Sequence, residues 1–162
     1  MSPGDQQSSD STAPQALGFL RSLWRLNHLL ERQSRLMARE LGVTFPQRTV
    51  IRLVGQRPGV SPGDLASYLH IDPGTLSTIL RGLEQRGLIA RGTDPDDRRR
   101  VQIRLTDAGH ALESPSAETV EAVLARVLGD WSEDHKRTSI ELMNAISDGL
   151  AKAGLPQRRR RP

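Results

Sequence analysis

Between Ser61 and Leu105 the spacing of apolar positions changes period twice. Leu65, Ala66 and Leu69 make one inward helical face, and Leu76, Ile79, Leu80 and Leu83 recur at i, i+3, i+4 and i+7 to make a second. Each face has its own start signal. Ser61 supplies a cap hydroxyl, Pro62 the first helical position and Asp64 a carboxylate that reaches back; Asp72 and Pro73 repeat the device. His70 and Ile71 leave room only for a tight turn between the two helices, and Gly87 ends the second. Helices joined so briefly cross steeply, as in a helix-turn-helix. The period then drops to two. Leu88, Ile89 and Ala90 begin a strand, and Asp94, Pro95, Asp96 and Asp97 are turn residues. Val101, Ile103 and Leu105 alternate with Arg100, Gln102 and Arg104 on the way back. Two capped helices followed by a hairpin predict a winged helix-turn-helix.

The flanking segments are helical. Ala16 to Leu41 carries Leu17, Leu20, Leu23, Trp24, Leu30 and Met37 on one broad face, with Leu26, Leu29 and Leu36 partly off it, before Gly42 breaks the pattern. So wide an apolar stripe has more than one surface to meet. Thr44 and Gln47 form a capping box for a helix whose inner face is Val50, Ile51, Leu53 and Val54. Thr106 caps a further helix to about Leu128, with a kink or restart expected near Ser114 because Pro115 falls inside it. Its inward residues are Val120, Val123, Leu124, Val127 and Leu128. Ser132 starts a last helix, lined by Ile140, Met143, Ile146 and Leu150, that runs to about Ala151. The expected organisation is a disordered tail over 1–14, a first helix over 15–43, the winged core over 44–106, two helices over 107–152 and a basic tail over 153–162. The fold class is mainly α with a small β-hairpin wing.

Charge points to a partner. Residues 44–106 hold ten arginines against six acids, whereas residues 107–157 hold four bases against nine acids. A basic reader beside an acidic segment is the footprint of a protein that presents one face to nucleic acid. On the second helix of the pair, Gly74, Thr75, Ser77, Thr78 and Arg81 make a small, polar or basic outer face near the N-terminus, where a recognition helix meets base edges and phosphates. The hairpin tip carries Asp97, Arg98, Arg99 and Arg100, suited to the negative potential of a minor groove. Arg48 and Arg52, one turn apart, and Ser61 are candidates for phosphate contacts.

Leu65-Ala66, Leu83-Glu84-Gln85-Arg86-Gly87-Leu88-Ile89, Asp97-Arg98-Arg99 and Leu105-Thr106-Asp107-Ala108-Gly109 occur in the order and spacing of the MarR family of bacterial transcriptional regulators. The resemblance spans about residues 15 to 152. It implies a homodimer of winged helix-turn-helix subunits, with N- and C-terminal dimerisation helices, that binds a palindromic double-stranded DNA operator. It further implies a repressor that a small-molecule ligand releases. Two positions depart from the family pattern. Arg81 stands where an acid commonly pairs with a wing arginine, and Thr78 where a basic residue is frequent.

Other functions find less support in the residues. Paired acid-base groups, a nucleophile elbow and phosphate-cradling glycines are missing from the sequence, so the expectation is a non-enzyme with no cofactor. The 162 residues contain no cysteine, which excludes disulfides and thiolate metal sites. His28 with Glu31, and His110 with Glu113, lie one turn apart and are the residues on which a metal-responsive member of the family would rest. The other alternative is a winged-helix protein-interaction module. No apolar run approaches membrane-spanning length and no signal peptide is visible, so a cytoplasmic protein is expected.

Overall fold

The computed structural model describes residues 7–93, 97, 99–114 and 119–153, with side chains from residue 14 onward. Their order is α1 (Gln7–Glu40), α2 (Phe45–Gln56), α3 (Pro62–Leu69), α4 (Pro73–Gln85), β1 (Ile89–Thr93), β2 (Val101–Leu105), α5 (Asp107–Ala111), α6 (Val120–Gly129) and α7 (Glu133–Lys152). They fall into two compact units, one up to Val120 and one from Glu121. The expected turn at 94–96, Arg98, Pro115, residues 1–6 and most of the basic tail lie outside the described residues.

Every expected helix start between residues 44 and 132 is present. The Thr44 hydroxyl accepts the Gln47 amide and the Gln47 side chain accepts the Thr44 amide, closing the capping box. Ser61, Asp72, Thr106 and Ser132 each accept the amide three residues on. The first helix is longer than expected. It begins at Gln7 rather than Ala16 and carries Pro14 inside, so it includes positions 7–14 of the segment read as disordered. Extending an existing helix needs no new nucleus; low apolar content argues against burial there, not against helix.

The core lies in the first unit. Val50, Ile51, Val54, Leu65, Leu76, Leu80, Leu83 and Ile103 are buried together, with α2 and α3 against β2 and α4 against β1. β1 and β2 pair antiparallel, with Ile89 opposite Leu105 and Thr93 opposite Val101. A third partner on the far edge of β2 was not foreseen. Val60 bridges Ile103, with the Gly59 amide on the Ile103 carbonyl at 3.0 Å and the Ile103 amide on the Val60 carbonyl at 2.9 Å. Gly59 turns into this bridge at φ +83°, a conformation that side chains disfavour. The turn between α3 and α4 uses a left-handed residue too, here His70 at φ 51°.

The base of the hairpin is locked to α5. The Leu88 carbonyl accepts the Thr106 amide at 3.2 Å, and the Thr106 hydroxyl donates to the Gly87 carbonyl at 2.6 Å. Gly109 lies directly against the Leu88 carbonyl, with no room for a β-carbon between them. This contact gives the glycine of Leu105-Thr106-Asp107-Ala108-Gly109 its physical reason, and explains why that motif accompanies Gly87-Leu88.

α5 stops at Ala111 and α6 begins at Val120, so the expected interruption near Ser114 is present. The inward positions expected on the outer helices are buried only in part, at Met37 of α1 and Val120 of α6. On α1, Met37 is buried, but Leu17, Leu20 and Trp24 are exposed, Trp24 by 78%. In the second unit, Val123, Leu124, Val127 and Leu128 of α6 are exposed, as are Ile140, Met143 and Leu150 of α7. Their helical spacing is correct, and the described residues leave them uncovered.

Gly109→Ala is expected to destabilise the protein by about 1–3 kcal/mol, the range for overpacking a rigid site, since the obstacle is main chain that cannot rotate away. Urea midpoints for the two proteins check this. A variant as stable as the parent would mean that the Leu88–Gly109 approach is not tight.

Candidate nucleic-acid interface

α4 divides its residues cleanly. Leu76, Leu80 and Leu83 are buried, while Gly74, Thr75, Ser77, Thr78 and Arg81 are all exposed. The helix therefore presents the small and basic face expected of a reader. Its hydroxyls are not equivalent. Thr75 donates its hydroxyl and its amide to Asp72, the amide at 2.9 Å, so it is bound into the helix cap. Thr78 donates back to the Gly74 carbonyl at 3.1 Å. Among the described residues the Ser77 hydroxyl has no partner, which leaves it available to a base edge. Donation from the Thr75 side chain and then its amide holds the Asp72 carboxyl below its ordinary value of 3.8.

The described part of the wing tip is exposed at Asp97, Arg99 and Arg100. Asp97 shapes the main chain. Its carboxylate accepts the Arg99 amide at 3.0 Å and its carbonyl accepts the Arg100 amide at 2.8 Å. The described hydrogen bond from Arg99 to Asp97 thus involves the amide rather than the guanidinium. Arg98 lies outside the described residues. Arg81 makes no ion pair among the described residues. The tie between recognition helix and wing is made one turn later, by Glu84 Oε2 and Arg91 Nε at 3.0 Å. Neither residue was singled out from sequence as a site residue.

Arg48 and Arg52 face another part of the chain, and for Arg48 this overturns the expected phosphate contact. Arg48 is 2% exposed, and its guanidinium donates to the Leu112 carbonyl and, at 2.9 Å, to the Ser114 carbonyl. Arg52 donates to the Glu113 carbonyl at 2.5 Å. The pair satisfies carbonyls of the three residues that follow α5, where no helical bond is available to them. Buried in that role, Arg48 is not a phosphate contact. Helical spacing correctly put the two arginines on one face; it could not say that the face meets a segment more than 60 residues away. Ser61 is at the start of α3 as expected, with its hydroxyl committed to the cap: it accepts the Asp64 amide at 3.1 Å and donates to the Asp64 carboxylate at 2.7 Å.

His110 and Glu113 meet at 2.6 Å, yet no group of three His, Cys, Asp or Glu side chains converges among the described residues. No described helix is long and apolar enough to cross a membrane.

A three-helix core with a tightly joined helical pair, an exposed polar face and an arginine-bearing hairpin defines a winged helix-turn-helix. The family model described as "MarR family" matches residues 41–100. The chain is 32% identical over 121 residues to the HTH-type transcriptional repressor Rv2887 of Mycobacterium tuberculosis, covering 75% of this chain and 86% of that one. It is 30% identical over 154 residues to the HTH-type transcriptional regulator TtmR of Methylorubrum extorquens, covering 93% of this chain and 73% of the relative. It belongs to the MarR family of winged helix-turn-helix transcriptional regulators. Solved structures agree on the fold. The transcription regulator MarR from Oenococcus oeni superposes with TM-score 0.69 at 19% identity, over 82% of this chain and 98% of that one. MepR of S. aureus, solved with DNA, gives 0.65 at 23% identity, over 79% and 94%.

Two outcomes follow from the geometry. Arg48→Ala should destabilise folding by roughly 1–3 kcal/mol, because it removes a buried side chain together with its bonds to the Leu112 and Ser114 carbonyls, and leave the salt dependence of DNA binding unchanged. Chemical denaturation and duplex titrations at several salt concentrations measure the two effects separately; a changed salt slope would return Arg48 to the interface. The second outcome concerns pH. Because Asp72 is depressed in the folded state, its contribution to stability is present above 3.8 and lost as pH falls through its lowered value. Asp72→Asn should therefore show less loss of stability than the parent across that acid window in urea titrations.

Proposed function

We propose that this regulator binds a palindromic double-stranded DNA operator as a homodimer and acts as a repressor that a small-molecule ligand releases. The observation that carries the reading is the α4 face. Gly74, Thr75, Ser77, Thr78 and Arg81 stand clear of the core on a helix whose other side is fully committed to it. Base edges in a major groove are what such a helix reads, while arginines on a wing add affinity through phosphates and the minor groove. Proteins of this fold have been solved with DNA, MepR and FabT among them.

The dimer is supported by apolar surface without cover. Leu17, Leu20 and Trp24 on α1, and separately Ile140, Met143 and Leu150 on α7, are exposed at helical spacing. Patches of this kind on a soluble chain mark an interaction surface. A second copy, by two-fold symmetry, would set two recognition helices on one side of the duplex. For the ligand, an open groove of about 340 Å³ beside the C-terminal part of α1, bordered by Gln33, Leu36, Met37, Glu40 and Leu41, is of small-molecule size.

Operator geometry tests the reading. Duplexes selected from a random pool should contain inverted half-sites centred about one helical turn, or roughly 10 base pairs, apart. Inserting about five base pairs between them turns one half-site to the opposite side of the duplex and should abolish tight binding. Unchanged affinity after the insertion would rule out a two-fold reader. Light scattering should give twice the chain mass of 17.9 kDa.

A further inference from the structure

Arg91 lies on the first strand of the hairpin, away from the arginines at its tip. Its Nε donates to Glu84 Oε2 at 3.0 Å, and both side chains are partly open to water. Arginine offers five N–H donors in a planar fork. One is used by Glu84; among the described residues the two terminal nitrogens have no partner. Arg91 also lines a cleft of about 130 Å³ with Pro62 and Gly63 of α3 and with Pro73, Leu76, Ser77 and Leu80 of α4. Arg91 therefore borders the same opening as Ser77, whose hydroxyl is unengaged.

Glu84 poses a problem that Arg91 answers. Ser77, Arg81 and Glu84 follow one another at i, i+4 and i+7, so the carboxylate continues the exposed stripe that carries the reading residues. A bare carboxylate on that stripe would repel phosphates. Pairing with Arg91 cancels its charge and fixes the guanidinium plane.

We infer that Arg91 is a phosphate-binding residue of this DNA reader, held in position by Glu84. The inference rests on the DNA-binding reading. In this arrangement Glu84 acts through Arg91 and is a positioning residue, while the terminal nitrogens of Arg91 face the DNA backbone. The device also stands in for the acid that is absent at Arg81. The recognition helix and wing are joined through Glu84 and Arg91 instead, and the join itself carries a phosphate ligand.

The experiment is a set of affinities for an operator and for a random duplex, across salt, for the parent and for Arg91→Ala, Arg91→Lys, Glu84→Gln and the double variant Glu84→Gln/Arg91→Ala. Loss of one phosphate contact should make the salt slope shallower by about 0.9, which is about an eightfold weakening near 0.1 M salt on both duplexes. Arg91→Ala should show that change or a larger one, since it also uncovers Glu84. Arg91→Lys should recover the slope, because it restores the charge that a purely structural role would not require. Glu84→Gln should keep the slope and weaken operator binding through lost positioning. The double variant decides between contact and masking. A slope still shallower than the parent's supports a direct phosphate contact. A slope restored to the parent's value would overturn the inference, since Arg91 would then only neutralise Glu84. Parental affinity and slope in Arg91→Ala would overturn it as well. Thermal melts check that each variant is folded, and Arg91→Gln serves the same comparison if the alanine variant is not. A parent protein that binds neither duplex would instead sink the DNA-binding reading, and this inference with it.

Discussion

The carbonyl of Leu88 is the point on which the reader's geometry depends. It accepts the Thr106 amide, and Gly109 closes directly upon it. Residues 88 and 106 flank the two strands, so this bond shuts the hairpin at its base. Gly109 belongs to α5, so the same contact seats the helix that follows. The Thr106 hydroxyl adds a bond to the Gly87 carbonyl while accepting the Gly109 amide as the α5 cap. One small region thus fixes how α4 leaves the core, where the wing begins and where the chain goes next. A wing that must reach DNA at a set distance from the recognition helix needs such a hinge to be stiff, and main-chain contact without intervening side chains makes it so.

Arginine does different work in different surroundings. Arg48, buried, and Arg52, half-buried, donate to the carbonyls of residues 112–114 just past α5. Neutral carbonyls accept these bonds without a second buried charge, and the guanidinium fork reaches several of them at once. Arg91 shares its charge with Glu84, while Arg99 and Arg100 stay at the exposed tip. The basic excess of the winged core therefore overstates the charge offered to a partner, because part of it is structural.

The recognition helix shows a similar division among hydroxyls. Thr75 is drawn into the Asp72 cap and Thr78 bonds back to its own helix, while Ser77 is left open. Capping steadies the helix end that must approach a groove closely. It also narrows which of several chemically similar side chains can take part in reading bases without first breaking a local bond.

The sequence alone determined the helix-turn-helix, the hairpin and five helix caps. Each of these depends on residues within a few positions of one another: Ser61 with Asp64, Asp72 with Thr75, the alternation of Val101, Ile103 and Leu105. It also identified the exposed face of α4, since the buried face was written at helical spacing, and its ordered motifs pointed to the family. The tertiary structure decided what depends on distant neighbours. Val60 pairs with Ile103 across the chain, Glu84 meets Arg91 from another element, and Arg48 turns inward because the end of α5 needs donors. Periodicity distinguished one side of a helix from the other, but not whether that side meets core, solvent or a second subunit. The apolar faces of α1, α6 and α7 were legible as stripes, and the width of the α1 stripe as a need for more than one surface; which of their side chains one chain leaves exposed was not, because burial depends on what lies opposite and helical spacing does not encode it.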